Sequence, residues 1–164
     1  MIILGIDPGY AIMGVGVIEK TGSKLRYLYH GAIQTKANLP ISKRLAIIHS
    51  DLCKLYKQFN VTDVAVEKIF FSNNTKTAID VAQSRGVAIL SAEQHNCNVF
   101  DYTPPQIKSG VSGYGKADKK QVQAMVKILL NLQEIPKPDD AADALAVAIC
   151  HAHCAKIARI ALVK

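Results

Sequence analysis

The N-terminal stretch MIILGIDPGYAIMGVGVIEK, residues 1–20, decides how the rest of the chain is read. An apolar run from Ile2 carries one carboxylate, Asp7, and breaks at Pro8-Gly9. Proline fixes φ and offers no N–H to a ladder, so a strand ends there. Apolar character returns in MGVGVIEK, residues 13–20, and again in KLRYLYHGAIQT, residues 24–35, beyond a turn at Thr21-Gly22-Ser23. Three successive strands with short turns are expected to form an antiparallel meander. Asp7 closes a strand built for an interior and finds no partner in its own segment, so its partner comes from elsewhere in the chain or from solution.

The remaining elements follow from hydrophobic spacing. From Pro40 to Phe59, the residues Leu45, Ile48, Leu52, Leu55 and Phe59 recur every three or four positions, which predicts a helix. VTDVAVEKIFF supplies a fourth strand ending at Glu67. Residues 75–95 read as a second helix, CNVFDY (97–102) as a fifth strand, 118–132 as a third helix and 139–158 as a last one. Between them, PPQIKS makes a poor strand, and GVSGYGKA (110–117) reads as a flexible, basic, glycine-rich loop. The order βββαβαβαα predicts an α/β protein with a five-stranded mixed sheet, helices on both faces, and a single domain over residues 1–164.

Composition narrows the function classes. With 164 residues, 49% of them hydrophobic, the chain has material for one ordinary core. Lys+Arg outnumber Asp+Glu 20 to 13, a formal +7 that suits a polyanionic partner and equally suits a solvated surface. No stretch approaches the ~18 apolar residues of a membrane span and no signal-peptide pattern opens the chain, so a cytoplasmic protein without a membrane partner is expected. Cys53 and Cys97 stand alone in apolar surroundings, where cysteine behaves as a small hydrophobe. In the tail CHAHC (150–154), a helix turns His151 and His153 away from the Cys150/Cys154 face, so the stretch predicts a frayed helix end and no zinc site.

Two strands end alike, on Asp7 and on Glu67, and in such sheets ligands collect at the carboxyl ends of strands. Two buried acids raise each other's pKa unless a positive charge stands between them. PDDAADALAVAI (138–149) adds more: Asp139 reads as a helix N-cap, while Asp140 and Asp143 stand at i, i+3 and Asp139 and Asp143 at i, i+4, so that either pair shares a face. Favourable interaction with the helix dipole accounts well for Asp139 and poorly for Asp143, which lies a full turn in, among small apolar residues. Asp7, Glu67, Asp140 and Asp143 can then form a cluster of hard oxygen ligands suited to Mg²⁺, with Mn²⁺ as a substitute. Two such ions roughly 4 Å apart support in-line hydrolysis of a phosphodiester, and the basic excess fits a nucleic-acid substrate.

Taken together and in order, GIDPG, AVEKIFF, QSRGVAIL and DDAADALAVAI resemble the RuvC-type Holliday junction resolvases over essentially the whole chain. That resemblance implies an RNase H-like fold, a homodimer, and Mg²⁺-dependent symmetric nicking of two like strands of a four-way DNA junction in recombination and repair. It also implies 5′-phosphate and 3′-hydroxyl ends, and a branch-migration complex of RuvA and RuvB type as partner. Carried over by position, the catalytic and metal-binding carboxylates are Asp7, Glu67, Asp140 and Asp143; the DAAD pattern selects Asp140 and leaves Asp139 as the cap. The resemblance assigns Phe70 as a base-wedging aromatic and Lys108 and Lys119 as phosphate contacts. Lys116, Arg85 and Asn74 are further candidates for touching DNA. Ala78, Val81, Ala82, Val87 and Leu90 on the second helix form the candidate dimer seam.

Two rival readings start from the same residues. GIDPG followed by GVG resembles the phosphate-binding hairpin of actin-like and sugar-kinase ATPases, but those close two lobes on a nucleotide and 164 residues supply one. GVSGYGKA imitates a phosphate loop until Ala117 takes the position of the Ser/Thr that holds Mg²⁺, so no nucleotide cofactor is expected. A non-catalytic nucleic-acid-binding module of the same fold would not need four aligned acids.

Overall fold

The computed structural model of the protein describes residues 1–69 and 75–162, with side chains described for 1–69 and 77–155. Ten elements follow in order: β1 (Ile2–Asp7), β2 (Ile12–Thr21), β3 (Lys24–Gln34), α1 (Ile41–Phe59), β4 (Asp63–Glu67), α2 (Thr75–Glu93), β5 (Asn98–Tyr102), α3 (Pro104–Ser112), α4 (Lys119–Leu129) and α5 (Asp139–Leu162). The sheet runs β3-β2-β1-β4-β5; the first three strands form the expected antiparallel meander, and β4 and β5 join β1 in parallel.

Strand alternation sorts the sheet into two faces. Leu4 and Ile6 of β1, Val15 and Val17 of β2, and Val64 and Val66 of β4 face a core shared with α1 and α2, where Ile48, Leu52 and Ala88 are fully buried. Ile3, Ile18, Ala65 and Phe100 face the other way, into a core covered by α3, α4 and α5. The second face is unusually thin. A Cβ on Gly5 would lie 2.0 Å from the Ala144 carbonyl oxygen, and one on Gly14 would lie 2.0 Å from that of Asp140. Helix α5 thus rests on the strands backbone to backbone, which its own Ala141, Ala144 and Ala148 permit because they add almost no bulk.

Two expectations change. Residues 104–112 are a helix, not a poor strand running into a loop. Thr103 caps it, its hydroxyl accepting from the Gln106 amide at 3.4 Å while the Gln106 side chain accepts from the Thr103 N–H at 2.8 Å, and Pro104 occupies the first turn. The CHAHC stretch is not a frayed end. Cys150 and His151 are fully buried in α5, and the helix runs on to Leu162. His151 Nε2 lies 2.9 Å from an Asp63 carboxylate oxygen and its Nδ1 lies 2.7 Å from the Tyr102 hydroxyl, a pairing that ties α5 to β4 and β5. His153, on the outer side, donates to the Gly110 carbonyl at 2.7 Å and so fastens α3. Among the described residues no helix is long and apolar enough to cross a membrane.

Candidate active site

Asp7 and Glu67 are the last residues of neighbouring parallel strands, in register one step beyond the Ile6–Val66 pair. Since Ile6 and Val66 face the α1/α2 core, alternation turns both acids to the α5 side. There the first turns of α5 bring Asp140 and Asp143, held in place by the contact between the Asp140 backbone and Gly14, the residue paired with Asp7. All four carboxylates are half-buried. Beside them lies a cavity of about 280 Å³ lined by Glu67, Lys108, Lys119 and Asp143, with Ile107, Val122 and Ala146 among its apolar walls.

The electrostatics show a surplus of negative charge. Burial, then Glu67, Asp143 and Asp140 in that order, push Asp7 from 3.8 up to about 8, with Lys119 opposing. Burial and Asp143 push Glu67 from 4.5 up to about 7, against the pull of Lys108. Burial also raises Asp143, although Lys119 works the other way. Lys119 Nζ stands 3.1 Å from Asp143 and 3.2 Å from Asp139, and these bonds outweigh desolvation to raise its own pKa. Lys119 and Lys108 against this set leave the acids under-neutralised, the condition that an oxygen-ligated divalent cation relieves. Among the described residues, no three His, Cys, Asp or Glu side chains close tightly enough to hold an ion unaided. The donor chemistry, carboxylate oxygens without histidine or thiolate, nevertheless fits Mg²⁺ or Mn²⁺.

Of the residues singled out in the sequence, Asp7, Glu67, Asp140, Asp143, Lys108 and Lys119 come together here. Lys116 is exposed in the turn before α4. Arg85 lies elsewhere, its guanidinium 2.5 Å from Asp101 on β5 and only 21% exposed, so its charge ties α2 to the sheet. Phe70 and Asn74 lie outside the described residues. Asp139 is not a cap: α5 begins at Asp139 itself, the Ala141 amide donates to the Pro138 carbonyl at 3.0 Å, and the Asp139 carboxylate serves Lys119 instead. Spacing along the chain carried no sign of the bridge from Lys119 to Asp139 and Asp143, because it exists only once α4 and α5 are packed. The α3 wall did leave a sign, the Thr-Pro-Pro-Gln capping box.

The strand order, with acids at the carboxyl ends of its central parallel strands, defines an RNase H-like α/β protein. A family model described as Crossover junction endodeoxyribonuclease RuvC matches residues 3–151. The chain belongs to the RuvC family. Proteins of that name from Alkaliphilus oremlandii and Clostridioides difficile are 55% and 52% identical, over 93% and 96% of this chain and 93% of each relative. Thermus thermophilus RuvC superposes with a TM-score of 0.88 at 35% identity, covering 96% of both chains, and a structure of the same protein in complex with Holliday junction substrate gives 0.87 at 32%. The family match favours the nuclease reading over the ATPase lobe. In GVSGYGKA, moreover, Gly110 lies within helix α3, and it is this helix and not a strand that precedes Gly113 and Gly115.

Proposed function

We propose that this chain resolves four-way DNA junctions by Mg²⁺-dependent phosphodiester hydrolysis, nicking two symmetric strands as a homodimer and leaving 5′-phosphate and 3′-hydroxyl ends. The observation that carries the proposal is the convergence of Asp7, Glu67, Asp140 and Asp143 on one face of the sheet edge, with more negative charge than Lys119 and Lys108 balance. These four acids are the ligands we assign to two ions. When bound, such ions lower the pKa of a coordinated water and offset charge on the scissile phosphate. The protein's own groups do the rest. Lys119, half-exposed and already hydrogen-bonded to Asp143, can turn outward to a phosphate oxygen, and Lys108 stands over Glu67 across the cavity. Lys116 tracks the backbone further out, while Phe70 as a wedge and Asn74 as a DNA contact rest on the family resemblance alone.

The dimer seam we assign to α2. Of the stripe read from the sequence, Val87 packs against the α1/α2 core while Ala82 and Leu90 face outward. Leu90 is 56% exposed and Ile79, on the same side, 67%, and a Cβ on Gly86 between them would meet nothing. A two-fold dimer presents two sites to a pseudo-symmetric junction. A branch-migration partner of RuvA and RuvB type, and action in the cytoplasm, follow from the resemblance.

The test is cleavage of an end-labelled four-way junction beside a linear duplex in Mg²⁺. Paired nicks confined to the junction, abolished by Asp7→Asn, support the proposal; equal cutting of both substrates, or cutting by the variant, overturns it.

A further inference from the structure

On the opposite face of the sheet from this cavity, the first turn of α1 reaches the turn that follows β1 through Arg44 and Tyr10. That helix begins after Pro40, which can supply no side-chain cap, and no acid stands in its first turn. The Lys43 and Arg44 amides bond back to the Pro40 carbonyl, at 3.0 and 3.2 Å. The Ile41 and Ser42 amides donate to no group among the described residues. Exposed amides at a helix start, with the positive end of the helix dipole behind them, favour an anion.

Arg44 belongs to the first turn of the same helix. Its side chain runs back past the start of its own helix, so that Nε donates to the Lys36 carbonyl at 3.0 Å and the guanidinium lies 5.0 Å from the centre of the Tyr10 ring. Only 7% of the residue is exposed, yet no carboxylate among the described residues pairs with it. A guanidinium has five N–H donors, and one is used. The side-chain atoms that are sealed without a partner, among the described residues, are Arg85 Nε and Gln123 Nε2, so the unused Nη groups of Arg44 open outward. A charge withdrawn this far from water without a counter-charge is unfavourable, and a ligand anion supplies what the fold does not.

We propose that Arg44 and the first-turn amides of α1 form a phosphate subsite, distinct from the carboxylate cluster, that takes a backbone phosphate of the bound nucleic acid. It accepts two oxygens on the Arg44 fork and another on the Ile41 and Ser42 amides, with exposed Lys43 alongside. Tyr10 lies three residues past Asp7, a span of at most about 11 Å. On this assignment a strand whose scissile phosphate rests at Asp7 carries another of its phosphates into this subsite, which fixes its register. The site itself stands on the geometry of Arg44 and α1. Only the owner of the phosphate rests on the nuclease reading above.

The test uses the full chain, ¹⁵N-labelled and titrated with inorganic phosphate at constant ionic strength, then with a short DNA duplex and a four-way junction without divalent metal. Saturable shifts at the Ile41 and Ser42 amides and at Arg44 Nε–H are expected with all three. Shifts with free phosphate but none with either DNA would make it a site for a small phosphate and overturn the assignment to a strand. Arg44→Gln should abolish the phosphate response, weaken junction binding about tenfold, and make its log–log salt dependence shallower by about 0.9, the share of one phosphate contact. Ser42→Asp separates binding from folding: an acid in the first turn suits the helix and keeps or raises the melting temperature, but repels the ligand. If Ser42→Asp binds phosphate and junction as the parent does, or if phosphate shifts only scattered lysines without saturating, there is no subsite. Because free phosphate needs no cleavage, the first titration stands or falls apart from the nuclease proposal.

Discussion

Replacing Asp7 with Asn should stabilise the metal-free protein, and increasingly so as the pH rises. Asp7 titrates near 8 in the fold against an ordinary 3.8. Its folded value is raised, so the native state favours the protonated form. The penalty is absent below the unfolded pKa, grows as pH climbs between the two values, and is complete above the folded one. For a lone carboxyl shifted this far, linkage sets the penalty at roughly 2 kcal/mol at about pH 5 and roughly 5 kcal/mol at about pH 8. Asp7 is half-buried, not sealed, and Lys119 can swing toward it, so we expect the advantage of Asp7→Asn to widen by about 2 kcal/mol over that interval. Urea unfolding of parent and variant in chelator, at both pH values, measures it, since titrating groups outside the carboxylate cluster largely cancel in the difference. Saturating Mg²⁺ should close the gap by stabilising only the parent. A gap independent of pH, or a variant less stable than the parent at the higher pH, would refute the idea that uncompensated charge dominates this site.

Gly14→Ala should be severe: its Cβ would sit 2.0 Å from the Asp140 carbonyl, so α5 must lift, at a cost of about 3 kcal/mol in chemical denaturation. Tyr102→Phe removes the hydroxyl 2.7 Å from buried His151 Nδ1 and should destabilise by about 1–3 kcal/mol, measured the same way, with its volume conserved. Lys119→Met strips Asp143 and Asp139 of their shared partner. Junction cleavage should then fall about 100-fold in single-turnover assays while folding survives; near-parental rates would remove Lys119 from the chemistry.

The meander and the mixed sheet were legible because β1 and β2 are strongly apolar and α1 repeats every three or four residues. The four acids were legible because each interrupts or opens an apolar segment, where an ionisable group is out of place. Helix α3 was not, because only Ile107 and Val111 face its core and Gly110 breaks the pattern; its stability comes from the cap at Thr103 and from α5, which a hydrophobic period does not register. Asp139 misled for a related reason. A cap and a first-turn acid differ by one residue in where the helix begins, and here the helix begins at Asp139 itself. The partnerships of Arg85 with Asp101 and of Arg44 with Tyr10 join segments far apart in the chain, and no local spacing announces them.

The seating of α5 on Gly5 and Gly14 has a bearing on how the site keeps its dimensions. In most clefts the gap between functional groups is set by side chains wedged between helix and sheet, and it shifts when one of them changes rotamer. Here peptide atoms abut peptide atoms, so the distance from Asp7 to Asp140 is gauged by the stiffest parts of the polymer. The protein can vary widely over its α1 and α2 side and still hold its acids at a fixed calibre, because that calibre is machined into the main chain.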